Sequence, residues 1–181
     1  MSYPIDRVKK IIAALRAAGA KEQTIPYLLA QCAHETGAFK SNVFNTDTNA
    51  SGIMFINKPT KQKNATRGSE YPKNEGKYNY ARFATLKDWA VDYLRILGNT
   101  AASSKNLTDF AAKLKARKYY TASVNNYANG LKAHTKQLIK AGVFSSDLVP
   151  NNQTAAVSDT KKIIPILIGA LIVGAYLYTS N

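Results

Sequence analysis

A single cysteine, Cys32, stands in 181 residues, which excludes an intrachain disulfide. Its neighbours are apolar, so it reads as a buried structural thiol and not as a nucleophile. Two histidines, His34 and His134, are too few for a metal cluster. Acids are scarce as well: 11 Asp and Glu stand against 25 Lys and Arg, a formal net charge of +14. That imbalance calls for a polyanionic neighbour: nucleic acid, anionic lipid or an anionic envelope polymer. The basic residues are dispersed and no nucleic-acid motif accompanies them, so nucleic acid is not expected. The opening MSYPIDRVKK lacks the apolar centre of a secretory leader.

What is present begins with helical periodicity. PIDRVKKIIAALRAAG places Ile5, Val8, Ile12 and Leu15 on one stripe, with Pro4 suited to an opening turn and Gly19 to an end. TIPYLLAQCAHETG predicts a second helix, with Thr24 as its N-cap, Pro26 in its first turn and Gly37 just past its end. Leu28, Gln31, Cys32 and Glu35 share one face of it. From Phe39 to Phe83 the composition turns to Asn, Gly, Ser, Lys and Tyr, and KYNYARF alternates like a strand. This region is expected to be loops with a small hairpin, the wall of a cleft. TLKDWAVDYLRILG, NLTDFAAKLKARKYY and SVNNYANGLKAHTKQLIKAG return to helix, and Thr85 with Asp88 resembles a capping box. Trp89 and Phe110 sit on apolar stripes as core residues.

Glu35 is the acid that needs explaining. It lies among apolar residues near a helix C-terminus, where burial and the negative end of the macrodipole both disfavour its charged form. A helix built for stability alone would more often carry Lys or Arg there. A raised pKa is what a general acid requires near neutral pH. A surface glutamate at a helix end is the plain alternative. His34, its neighbour in sequence, points about a quarter-turn away and is not placed to pair with it.

AQCAHETGAFKS resembles the stretch around the catalytic glutamate of the peptidoglycan glucosaminidases of glycoside hydrolase family 73, a run of the form A-Q-x-A-x-E-T-G matched by Gln31, Ala33, Glu35, Thr36 and Gly37. Three further segments resemble that family in order: NASGIMFI, GSEYPKNEGKYNYARFATLKDWAVDYLRIL and YYTASVNNYANGLKAHTKQL. The resemblance covers Ile12 to Gly142. It implies a lysozyme-like, mainly α (α+β) domain with a small β-hairpin lobe, acting on the β-1,4 glycan backbone of peptidoglycan without metal or cofactor. It implies Glu35 as proton donor and a second carboxylate that activates water or stabilises the sugar cation. Candidates for the second are Asp47, Glu70 and Glu75; Glu70 best matches the family's T-E-Y position, and Glu75 is the reserve. Tyr120 and Tyr127 match two family tyrosines and would line the sugar site by stacking and hydrogen bonding. Phe39 and Ile53 would be groove walls. SGIMF is also similar to a segment of goose-type lysozymes and lytic transglycosylases, which leaves muramidase or transglycosylase chemistry open, and a catalytically degenerate structural role as well.

After residues 1–144 of this domain, 145–161 read as a polar linker and 162–179 as a single-pass membrane helix. Ile163 to Tyr178 carries no charge, and Lys161, Lys162, Tyr176 and Tyr178 suit its two interfaces. Lysines before the helix favour a cytoplasmic enzyme domain, the wrong side for a wall-cutting enzyme. A phage particle with its own membrane resolves the conflict, with capsid proteins as possible neighbours and the host inner membrane as the alternative location.

Overall fold

A computed structural model describes residues 3–70 and 78–149. Six α-helices, two strands and two 3₁₀ turns run in the order α1 (Ile5–Ala17), a turn at Glu22–Thr24, α2 (Ile25–Glu35), α3 (Asn42–Asp47), β1 (Ala65–Glu70), β2 (Asn79–Phe83), α4 (Leu86–Leu97), α5 (Leu107–Ala116), α6 (Val124–Lys140) and a turn at Ser146–Leu148. The described part is therefore mainly helical with one small antiparallel sheet.

Apolar periodicity decides which helix faces turn inward. The stripe of α1 buries Val8, Ile11, Ile12 and Leu15. In α2 every residue from Ile25 to Ala33 is buried, which makes it the central helix of the domain. α2 and α5 pack against α6, and α1 against α4. Trp89, Tyr93, Phe110 and Leu114 fill the space between them and are fully buried, as expected for Trp89 and Phe110. Cys32 is buried and unpaired, and burial pushes its thiol far above the usual range.

Helix starts obey side-chain chemistry. Ser41, Thr85, Asn106 and Ser123 each accept a hydrogen bond from the backbone N–H three residues on, capping α3 to α6. The Thr85 hydroxyl also meets the Asp88 carboxylate at 2.5 Å, a short variant of the expected capping box. Thr24 departs from expectation. The chain enters α2 through a 3₁₀ turn, Thr24 is already helical, and its hydroxyl donates backwards to the Lys21 carbonyl at 2.7 Å.

The region from Phe39 to Phe83 holds the expected hairpin and one helix, α3, that composition did not announce. β1 and β2 pair with Ala65 opposite Phe83 and Glu70 opposite Asn79, and the register slips between Arg67 and Glu70. Buried polar side chains help to fasten this lobe, beside the apolar packing of Met54, Tyr80 and Phe83. Buried Asn49 donates to the Ile53 and Ala81 carbonyls at 2.8 and 2.9 Å and accepts from the Ile53 N–H. Buried Gln62 donates to Met54 O and to the Asp92 carboxylate, both at 3.0 Å.

At the other end, Val149 packs on the core after the last turn, so the packed region runs a few residues beyond 144. Among the described residues no helix is long and apolar enough to cross a membrane. The expected anchor at 162–179, the linker from residue 150 onward and Glu75 lie outside the described residues.

Candidate active site

α2 ends on Glu35, and the turn beyond it is held by one side chain. Thr36 donates its hydroxyl to the Cys32 carbonyl at 2.5 Å and accepts the Phe39 N–H at 3.0 Å. Between those two bonds Gly37, Ala38 and Phe39 all take positive φ, at 56°, 62° and 64°. Three consecutive left-handed residues cost about 1–2 kcal/mol for each non-glycine member, so this turn persists only because its surroundings hold it. The Ala38 N–H returns to Ala33 O at 2.7 Å, and the Arg7 guanidinium donates to Phe39 O at 3.1 Å. The Thr-Gly pair after the glutamate is thus the device that turns the chain sharply away and leaves the Glu35 carboxyl at the helix end.

Glu35 keeps partial solvent exposure, while its carboxyl group sits among densely packed atoms. Burial pushes its pKa up to about 7, and a hydrogen bond from Tyr127 pulls the other way. The Tyr127 hydroxyl donates to Glu35 Oε1 at 2.5 Å, the length of a charge-assisted O–H···O⁻ bond. Gln31, one helical turn before Glu35, is fully buried; its Nε2 donates to the Tyr127 hydroxyl at 3.4 Å. The Tyr93 hydroxyl, from α4, donates to Gln31 Oε1 at 2.5 Å. Burial raises both tyrosine hydroxyls well above their ordinary range.

Close approach of α2 and α6 brings these groups together. A Cβ on Gly130 would stand 2.7 Å from His34 Nδ1, so only glycine lets α6 accept the imidazole there. The His34 ring meets Tyr127 edge-on at 4.8 Å and 84°, and His134 at 5.7 Å. His34 therefore packs on α6 and does not pair with Glu35, as helical geometry predicts. His134 accepts or shares a proton with the Tyr3 hydroxyl at 2.7 Å. Burial lowers both imidazoles, His134 to about 4.

Of the other residues singled out in the sequence, Tyr127 joins Glu35 and the rest fall elsewhere. Tyr120 and Tyr127 stack on each other, with centroids 3.7 Å apart and planes within 5°. Both are buried, and the Tyr120 hydroxyl donates to Ala111 O at 2.9 Å. The expected sugar-stacking faces are thus used internally: Tyr127 holds the acid, and Tyr120 holds Tyr127. Phe39 is fully buried against Tyr3 and Phe44, and Ile53 is 5% exposed. The structure places both in the core and not as exposed groove walls, because the turn after Glu35 and the Asn49 clasp draw them inward.

The carboxylates divide clearly. Asp47 is fully buried, accepting from Arg82 Nε at 2.9 Å and from the Ser69 N–H at 2.8 Å, which commits it to structure. Glu70 comes directly after Ser69, at the exposed end of β1, where the register slips. Gln31 and Tyr93 were not legible as site residues. The signals for them are the match of Gln31 to the family-like run one turn before the acid and the place of Tyr93 in a family-like segment, neither of which assigns a role.

A family model described as Glucosaminidase, mannosyl-glycoprotein endo-beta-N-acetylglucosaminidase, matches residues 12–140, well over half of the chain and the span from the middle of α1 to the end of α6. No curated protein and no solved structure matches the chain. With that match the chain belongs to the glucosaminidase family: it is a glycoside hydrolase of the endo-β-N-acetylglucosaminidase class, for which peptidoglycan is the implied substrate.

Proposed function

We propose that this protein cuts the β-1,4 glycan backbone of bacterial peptidoglycan with Glu35 as general acid. The observation that carries the reading is the Glu35 carboxyl: partly exposed at the end of α2, raised to about 7, and bonded to Tyr127. An acid of that pKa is substantially protonated near neutrality and can pass its proton to the leaving glycosidic oxygen. As the proton departs, Oε1 gains negative charge, and the Tyr127 O–H bond to it strengthens. That interaction is worth more in the transition state than in the ground state, which is the condition for it to accelerate the reaction. The new carboxylate also faces the cation developing on the sugar ring.

Glu70 is the second carboxylate in this scheme. It is exposed, so water and substrate reach it, and the clamp on Ser69 fixes the backbone immediately before it. Hydrolysis with Glu70 activating water leaves a reducing glucosamine end. A specific observation favours a second reading: Asp47 is consumed by Arg82 and Ser69, so of the described carboxylates in this lobe only Glu70 is open to solvent. Were Glu70 not to act, Glu35 alone would release an anhydro-muramic end by transglycosylation. Digestion of purified walls by the wild type, by Glu35→Gln and by Glu70→Gln, then mass spectrometry of the fragments, separates these. Reducing glucosamine ends that vanish in both variants support the proposal. Anhydro-muramic ends unaffected by Glu70→Gln select the second reading, and full activity of Glu35→Gln defeats both.

The uncharged run Ile163–Tyr178 and the +14 charge support a location on a membrane close to an anionic wall, with a membrane-containing phage particle as the site of action. Fractionation of infected cells and purified particles tests this. Recovery of the protein with particle membrane and capsid is the expected result, and recovery only in host membrane overturns it.

A further inference from the structure

The Glu35–Tyr127 pair has a polar chain behind it whose direction the distances determine. The Tyr93 hydroxyl stands 2.5 Å from one end of the Gln31 amide, and the Tyr127 hydroxyl 3.4 Å from the other. Hydroxyl-to-carbonyl bonds are short, with a mode near 2.7–2.8 Å, while amide N–H bonds to oxygen run longer. The short end is therefore Oε1 and the long end Nε2. Tyr93 donates to Gln31, Gln31 donates to Tyr127, and the Tyr127 proton has one acceptor left, Glu35 Oε1. The far end is anchored too: the Cys32 thiol lies against the Tyr93 hydroxyl, which also reaches the Leu28 carbonyl at 3.3 Å.

We infer that Gln31 and Tyr93 are positioning residues for the acid: their hydrogen bonds commit the Tyr127 proton to Glu35 Oε1 and so place the transferable proton of Glu35 on Oε2, the oxygen left to face the sugar. This rests on Glu35 being the acid. Two protons cannot occupy the line between Tyr127 Oη and Glu35 Oε1. While Gln31 forbids the Tyr127 hydroxyl from turning away, a protonated Glu35 cannot donate to it and must carry its proton on the other oxygen. Release the amide, and the Tyr127 hydroxyl can turn to Gln31 Oε1 and accept from Glu35 instead. The acid form then gains a hydrogen bond and aims its proton at the tyrosine, away from substrate.

The other titratable groups around this chain do not confuse its readout. Cys32 and His34 on α2, Tyr93 on α4, Tyr119 before α6, and His134 on α6 surround it. The thiol and both relay tyrosines are raised away from neutrality, and both imidazoles are lowered below 6.5. Arg7 on α1 is turned to Phe39 O and Asn45.

The test is the alkaline limb of the pH–kcat profile on purified walls, where activity falls as Glu35 loses its proton. In Tyr93→Phe the limb should move upward by roughly one pH unit, since the charged form loses its committed donor, while kcat falls and KM stays. Tyr127→Phe should move it the same way, and the double variant should match Tyr127→Phe alone, because both changes act through one bond. Gln31→Met removes the relay at similar volume and serves if Tyr93→Phe folds poorly by circular dichroism; its limb should move up as well. An unmoved or lowered limb in these variants, or shifts that add in the double variant, overturns the relay. Full activity in Glu35→Gln would instead overturn the assignment of the acid, so the two failures are distinguishable.

Discussion

Glu35 and Glu70 sit in regions that mix apolar packing and buried polar groups in different proportions. The seam of α2, α4 and α6 around Glu35 is an apolar core with one polar chain threaded through it, Tyr93 to Gln31 to Tyr127. The β lobe around Glu70 is a thin two-stranded sheet in which three buried polar side chains, Asp47, Asn49 and Gln62, join the apolar packing. In the first region the surroundings are dry enough to raise a carboxyl to about 7; in the second the carboxylate stands open to water. One fold thus supplies a packed environment around one carboxyl and a solvent-exposed position for another, the contrast that the proposed pairing of Glu35 with Glu70 draws on.

The sharpest way to break the comparison is at Asp47. Removing its side chain strands the Ser69 N–H and takes the partner from Arg82, and the half-exposed arginine can then hydrate. Asp47→Ala should cost about 2–3 kcal/mol, nearer the lower end of a broken buried pair because one partner reaches solvent. Asp47→Asn, which keeps one acceptor oxygen, should cost about half as much. Urea unfolding reads both. If the β lobe is set by this clamp, activity should fall in step with the Asp47→Ala loss while the alkaline limb from Glu35 stays in place. A limb that moved would mean the two regions are coupled and the contrast is false.

A second measurement sharpens the helical side. Glu35 has an ordinary carboxyl value of 4.5 when unfolded and about 7 when folded, so the folded state binds more protons between those values. Stability from this group is full below pH 4.5, falls as pH rises toward 7, and levels off above it. Glu35→Gln keeps an oxygen for Tyr127 and carries no charge to bury. It should therefore be more stable than the wild type by about 3 kcal/mol at pH 8 and nearly equal to it at pH 4. Thermal melts of both proteins across that range check it, and the histidines, present in both, cancel. A variant no more stable at pH 8 would mean the carboxyl is better hydrated than its burial indicates.

Legibility in the sequence splits along the same division. Helices α1, α2, α4, α5 and α6 announce themselves by apolar spacing, since each must bury a face, and Glu35 stands out because it breaks that pattern. The hairpin is visible in the alternation of KYNYARF. The short helix α3 is not, because six residues rich in Asn and Thr bury only Phe44 and Asp47 and show no stripe. Asp47 reads as a candidate catalytic acid for the same reason: sequence shows a carboxylate, and only the fold shows that Ser69 and Arg82 have taken it. The family resemblance implies Tyr120 and Tyr127 as residues that line the sugar site, but sequence does not show that each ring stacks on the other. Gln31 falls on the correct face, but its role depends on two tyrosines 62 and 96 residues away in the chain.

The smallest predicted effect lies in the turn that joins the two regions, at Gly37. Its φ of 56° suits glycine, yet a Cβ there would meet nothing within 4 Å. Gly37→Ala thus isolates the backbone cost from any steric clash, and should destabilise by about 1 kcal/mol. Ala38 and Phe39 already bear that cost at similar φ, held by the Thr36 hydroxyl and by Arg7. If the same bonds carry a third strained residue, the turn survives and Glu35→Gln remains the only route to large activity loss in this segment. Gly37→Ala should then keep a kcat within about threefold of the wild type. A larger loss with unchanged stability would show that the turn had shifted instead of absorbing strain, and that the position of the Glu35 carboxyl depends on the glycine itself and not on the threonine that clasps it.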